Sequence, residues 1–349
     1  MPALKGYYEM LRDMEVGEPL PVPVAKGAQA RLSQEARVEI TKLIGRKPGP
    51  FLFQLFLAWA TILGAIGIAV LAKNIWISLL AIGIVATRQN LLGLLIHEQA
   101  HCLGFKAGKG DILVNLTAGF PLLFLTVEGY ATIHLSHHAY YFSGRDPDYI
   151  RKQGKEWTFP MKAARFARLF LADVTGSSTV KTIRGKKPTG IEIFKRKAPT
   201  PKWIRVGMNL ALAVVFTLTG SWDIFFWYWA VPLATVFQMI IRWGAICEHK
   251  YNLLNPMVEE STPIILPCWW ERLLLPNLNF TLHIYHHYFP GIAFSNLPKV
   301  HRIFQREGLV NESNVFHGFL PFLKFLLTFP GVEIKSLRLS DDAFFQSSL

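Results

Sequence analysis

Three short boxes hold most of the histidine in this chain. "HEQAH" covers residues 97–101, "HLSHH" residues 134–138 and "HIYHH" residues 283–287; together they contain eight of the eleven histidines. Neutral imidazole binds zinc, copper, iron or nickel. Residues three and four apart share a helix face. His97 can therefore meet His101, His134 can meet His137 and His138, and His283 can meet His286 and His287. On that spacing each box is expected to aim its imidazoles at one point. A tetrahedral zinc site takes about four ligands, and a catalytic one draws about three from protein. Eight or more histidines exceed that, so two metal ions are the economical reading. Histidine-ligated iron keeps open positions for dioxygen, which suits oxidation of C–H bonds.

The elements that must carry these boxes are apolar. Hydrophobic residues make up 51% of the 349 positions and charged ones 17%, against about 25% charged in a soluble domain. Crossing a hydrocarbon core of about 30 Å takes about 20 helical residues. Four runs are that long or nearly so: residues 51–72, 75–96, 203–220 and 222–243. Short polar breaks at Lys73-Asn74 and Gly220-Ser221 join them in pairs. The expected fold is an all-α integral membrane protein: four transmembrane helices as two hairpins, with a cytosolic helical cap carrying the boxes.

With a cytosolic N-terminus, the second and fourth spans both end on the cytosolic face, one at His97 and the other at His249 in "CEHKY". His249 becomes the ninth candidate ligand by that parallel. The positive-inside rule agrees, since Lys73 falls on the outer side while Lys181, Arg184, Lys186, Lys187, Lys195, Arg196 and Lys197 lie in the long loop between spans two and three. Carboxylates commonly orient metal-bound imidazoles. Glu98 and Glu248 adjoin candidate ligands and are favoured for that role; Asp146 and Asp148 in "RDPDY" share it or instead cap a helix or pair with Arg145.

The remaining segments are read more plainly. Residues 112–127 contain Asn115, Gly119 and Pro121 and are expected to be half-buried or re-entrant, and residues 319–329 are too short to cross. Residues 162–174 form an amphipathic helix that either lies in the headgroup plane or packs on its own domain. His301 is a candidate neighbour of the ligands, and His317 falls in a polar loop. Cys102, Cys247 and Cys268 offer no disulfide framework, which fits a reducing compartment. No cleavable leader is apparent. The expected organisation is a cytosolic segment at 1–50, a membrane domain at 51–310 and an interfacial tail at 311–349. No nucleic acid partner is expected.

The set HxxxH, HxxHH and HxxHH, with "EH" before the last box, resembles the membrane fatty acid desaturase and hydroxylase superfamily. "RDPDY" is similar to that family's DPD segment, and "LLLPNLNFTLHIYHHYFPGIAFSNLPKVHR" resembles the corresponding stretch of bacterial acyl-lipid desaturases. The likeness extends from about residue 50 to 310. It implies that His97, His101, His134, His137, His138, His249, His283, His286 and His287 ligate two irons. It also implies dioxygen as co-substrate and electrons from a ferredoxin or cytochrome b5. Some features depart from relatives. Stearoyl-CoA desaturases carry a longer first box and an asparagine where this chain has Ala245, so a water or another residue would complete that iron's shell. The HPGG segment of a fused cytochrome b5 and the further boxes of alkane hydroxylases are absent.

These features point to a dioxygen-dependent desaturase of a lipid acyl chain, in a bacterial inner membrane rather than the endoplasmic reticulum. A lipid hydroxylase or carotenoid ketolase shares the same ligand set. A membrane zinc hydrolase or zinc-stabilised receptor would differ in metal and in dioxygen dependence. A metal transporter would place its ligands near mid-membrane.

Overall fold

The computed structural model describes residues 27–123, 125–184 and 199–328. Lys186, Lys187, Lys195, Arg196, Lys197 and residue 329 lie outside the described residues. Helix α1 (Gln34–Thr41) starts where the Ser33 side chain accepts the Ala36 amide. Helix α2 (Pro48–Ala72) opens on two prolines and ends at Lys73, in the left-handed conformation at φ 48°. Asn74 then caps α3 (Ile75–Ala100), accepting from the amides of Trp76 and Ile77 at 2.9 and 3.3 Å. Two residues thus turn the first hairpin.

Helix α4 (Lys109–Val114) runs into a π turn at Asn115–Gly119, and α5 (Val127–Tyr140), α6 (Pro147–Arg151), α7 (Ala163–Val174) and α8 (Ser177–Arg184) follow. The second hairpin is α9 (Lys202–Thr219) and α10 (Trp222–Glu248), turned at Gly220 with φ 63°. Pro232 has no N–H to donate, and α10 is bulged into a π turn at Phe226–Ala230 and broken again at Thr235. Then come α11 (Trp269–Leu274), α12 (His283–Tyr288), α13 (Leu297–Arg306) and α14 (Phe319–Thr328). One parallel pair, Ile264–Ile265 with Val315–Phe316, ties the stretch after α10 to the one before α14.

Among the described residues, four helices, α2, α3, α9 and α10, are long and apolar enough to cross a membrane. Their ends differ from the expected spans in one useful way. Helix α3 has 26 residues, about 39 Å at the helical rise, which exceeds a hydrocarbon core of about 30 Å. Apolar length gives only the part in lipid; the helix continues to Ala100 because nothing in "HEQA" breaks it. Helix α10 likewise runs on to Glu248. Both extensions deliver histidines to the same end of the bundle.

The hairpins are joined through α10. Trp59 stacks on Trp229 with ring centroids 5.5 Å apart, an arrangement worth about 0.5–1.5 kcal/mol beyond area burial. Gln89 donates to the Trp229 carbonyl at 2.9 Å, and the Ser78 and Tyr228 hydroxyls meet at 2.8 Å. Phe51, Leu55, Ala58 and Ile62 of α2 share a core with Leu91, Leu92, Leu95 and Ile96 of α3. No residue of α9 is buried by protein, which leaves its apolar side chains to lipid.

The segment around 112–127 does not cross. Asn115 is buried, and the indoles of Trp59 and Trp229 donate to the carbonyls of Thr117 and Pro121. Helix α7 turns Phe166 and Phe170 onto Trp243 of α10, and its buried Asp173 takes Arg242 bidentately. Helix α14 is too short to span and buries Phe322 and Leu326 beside Ile265 and Phe316. The cap has its own core, in which Ala36 and Ile40 of α1 meet Tyr285 and Tyr288 of α12 and Val300 and Phe304 of α13.

Candidate metal centre

Each histidine box is fixed by a different device. His97 rides on the extension of α3, and His101 closes that helix. Helix α5 is aimed by a polar knot at its start. The Thr126 side chain caps it, Asn115 Oδ1 accepts the Val127 amide at 2.8 Å, and Glu128 accepts from Asn115 Nδ2 and from the amide and hydroxyl of Thr200. Burial alone would raise the Glu128 carboxyl, but these donors from Thr200 and Asn115 hold it below its ordinary value. His249 leaves the helix with extended backbone just past α10. Helix α12 carries the third box and is buried along its whole length.

All nine expected histidines are buried and form two adjoining clusters. In one, ring nitrogens of His97, His101, His134 and His286 lie within 4.8 Å of one another. His138 Nε2 joins them, 3.1 Å from His134 Nε2 and 3.0 Å from His286 Nε2. The other holds His137, His249 and His287 within the same limit, and His283 Nε2 is 3.0 Å from His287 Nε2. The His138 and His287 rings stack at 4.5 Å where the clusters meet.

The expectation that each box points at one spot holds for His97 and His101 and is corrected for the two HxxHH boxes. His134 and His138 enter the first cluster while His137 enters the second; His283 and His287 enter the second while His286 enters the first. Consecutive residues on a helix lie about 100° apart, so the paired histidines of an HxxHH box cannot share a target. Each HxxHH box straddles two centres, so α5 and α12 bind the clusters together, while His97 and His101 both enter the first.

The carboxylates separate by geometry. Asp146 Oδ2 meets His137 Nδ1 at 2.7 Å and also accepts the Phe142 amide, while Oδ1 caps α6 through the amides of Asp148 and Tyr149. Capping and orienting, weighed as alternatives, are both done by this one residue. Asp148 instead binds Lys152 at 2.7 Å and Arg151, and reaches no histidine ring. Glu98 accepts the Phe294 amide at 3.1 Å, and Glu248 makes no hydrogen bond among the described residues. Their neighbours in sequence face the clusters, and the turn between adjacent helical residues points them elsewhere. Thr262 makes an unforeseen contact: its hydroxyl is 3.2 Å from His249 Nδ1 and 3.0 Å from the Tyr141 hydroxyl. His301 bonds the Tyr285 hydroxyl at 2.7 Å rather than a clustered ring, and His317 is exposed.

The donor set fits metal. Both ring nitrogens of His97 are buried without a hydrogen-bond partner, and the Nε2 atoms of His134, His138 and His286, and of His283 and His287, crowd within 3.0–3.3 Å of one another. Buried polar atoms are normally paired, and clustered imidazole lone pairs with no donor between them are what a cation would bridge. Burial first, then neighbouring imidazoles, pushes His134, His138, His249, His283, His286 and His287 well below their ordinary pKa, leaving them neutral as ligands must be. His137 goes the other way: burial opposes charge, but Asp146 more than offsets it.

The family model for fatty acid desaturases matches residues 73–317, a stretch that includes all nine clustered histidines. The chain belongs to the fatty acid desaturase family and is an integral membrane protein with histidine clusters suited to that family's di-metal site. It is also similar to a dihydrorhizobitoxine desaturase from Bradyrhizobium elkanii, with 25% identity over 259 residues, covering 69% of this chain and 72% of the relative. Membership implies a lipid-like substrate and an electron donor.

Proposed function

We propose that this protein is a dioxygen-dependent desaturase that introduces a C=C bond into a lipid-borne acyl chain. Two irons would be held by five histidines (His97, His101, His134, His138, His286) and four (His137, His249, His283, His287). The observation that carries the reading is this pair of adjoining, buried, all-imidazole clusters in a chain of the desaturase family. Bound iron would supply the activation of dioxygen needed to break an unactivated C–H bond. Overall, two hydrogens from the two methylenes, with dioxygen, two electrons and two protons, leave as two waters.

The protein's own part is positional. Asp146 holds the His137 ring with Nε2 toward His249, and Thr262 holds the other face of His249. Phe280 lies edge-on to His97 at 4.4 Å and to His286 at 5.9 Å, an apolar ring against the first cluster. Ala245 offers a methyl group and a carbonyl already bonded to the His249 amide, so the four-histidine cluster gains no protein ligand there. A ferredoxin or cytochrome b5 would supply electrons, and the site would face the cytosol of a bacterial inner membrane.

The relative suggests a second substrate class, since its name gives dihydrorhizobitoxine as its substrate. A hydroxylase or ketolase outcome would retain oxygen in the product. Expressing the chain with a ferredoxin and its reductase, beside a His286→Ala control, and comparing lipid mass spectra tests all three. The proposal expects a lipid lighter by two hydrogens, dependent on air and absent from the control. A product heavier by one oxygen would replace desaturation with hydroxylation. A changed non-lipid metabolite would replace the substrate class.

A further inference from the structure

Arg88 is a cation in a membrane-crossing helix with no ion-pair partner among the described residues. It lies in α3, within the stretch apolar enough to span, nine residues before His97, or about 13.5 Å along the axis. Ionisable side chains at such positions are costly and normally face a partner. A guanidinium presents five N–H donors. Among the described residues Arg88 makes one hydrogen bond, from Nη2 to the Leu273 carbonyl at 3.3 Å, and its buried Nε makes none. The acidic residue of α11, Glu271, is already held by the backbone amides of Cys268 and Phe319, each at 2.8 Å. Arg242, by contrast, has a bidentate partner in Asp173.

The surroundings point to the kind of anion missing. Helix α11 turns Trp269, Trp270, Leu273 and Leu274 outward, from 50% to 77% exposed. The bond from Arg88 to Leu273 sets α11 beside α3, whose Leu80, eight residues before Arg88, is also exposed. The outward face of α11 therefore lies beside a membrane-crossing helix and carries tryptophans of the kind found at membrane interfaces. A half-buried fork of donors beside exposed apolar surface matches an amphiphile with an oxyanion head and a hydrocarbon tail.

We propose that Arg88, beside the Leu273 carbonyl of α11, binds the oxyanion head group, carboxylate or phosphate, of a membrane amphiphile whose tail lies on the apolar face of α11. The site stands whether or not the protein is a desaturase.

The test is binding, not turnover. Wild type, Arg88→Gln and Arg88→Lys are purified in a neutral detergent and titrated with palmitate, dipalmitoyl phosphatidylglycerol or uncharged monopalmitin, with bound equivalents counted by native mass spectrometry. One equivalent of palmitate or of the phospholipid is expected to bind wild type about tenfold more tightly than Arg88→Gln, with Arg88→Lys between them because a point charge replaces a fork. Preference for palmitate identifies a carboxylate site, and preference for the phospholipid a phosphate site. Equal affinity in wild type and Arg88→Gln overturns the proposal. So does equal affinity of wild type for monopalmitin and both acids, a comparison that stands even if Arg88→Gln does not fold.

Discussion

Asp146 holds His137 from nine residues away, its Oδ2 meeting the ring Nδ1 at 2.7 Å while Oδ1 caps the next helix. One carboxylate thereby fixes the tautomer of a clustered imidazole and the start of α6 together. Replacing Asp146 with Ala is expected to lower metal affinity about 10–100-fold and to lose about 1 kcal/mol of stability with the cap. Competition with a chelator measures the first and thermal melting the second. Unchanged metal retention would remove the orienting role.

His286 and His301 are both buried histidines near α12, yet they are expected to behave differently. His286→Ala removes a nitrogen that lies 3.3 Å from His134 Nε2 and 3.0 Å from His138 Nε2, so bound metal should fall. His301→Ala breaks the bond to the Tyr285 hydroxyl and should cost about 1 kcal/mol with metal content kept. Metal analysis of the two purified variants separates them; equal loss in both would mean that α13 is part of the metal site.

Asp148→Asn is predicted to destabilise the cap without emptying the clusters. Lys152 is 9% exposed and depends on Asp148 and the Tyr251 hydroxyl. Stranding such a charge costs about 3–5 kcal/mol. Adding Lys152→Met to Asp148→Asn should recover much of it, as a double-mutant cycle of melting curves would show.

The same pair gives a pH signature. Burial would raise the Asp148 carboxyl, but Lys152, then Arg151, hold it well below the ordinary carboxylate range. The folded chain then binds fewer protons than the unfolded one, so this contribution is complete above about pH 4 and is lost as pH falls through the folded value. The stability gap between wild type and Asp148→Asn should narrow below about pH 4. A gap constant down to the acid limit would mean that Asp148 is not held ionised by its neighbours.

Much of this architecture is written locally. The two hairpins follow from apolar runs and two-residue breaks, and the boxes from histidine spacing, because both depend on residues close in the chain. What distance along the chain conceals is which neighbour a side chain finds. Thr262 reaches His249 across a turn thirteen residues long, and nothing in "STPII" marks it. Asp146 and Asp148 are equivalent in sequence; the cap geometry of α6 gives one to a histidine and the other to Lys152. The division of each HxxHH box between two clusters was available from helical geometry, since neighbours diverge by about 100°. Which histidine joins which cluster depends on α5 and α12 meeting across the site, where His134 and His138 face His286.

The central claim is that the two histidine clusters each hold an iron, and the most direct measurement is metal content by mass spectrometry of protein purified without added metal, beside a His286→Ala, His287→Ala double variant that removes one nitrogen from each cluster. The account predicts about two irons per chain in wild type and a large loss from both sites in the variant. Zinc in place of iron, or iron that survives loss of both histidines, would contradict it.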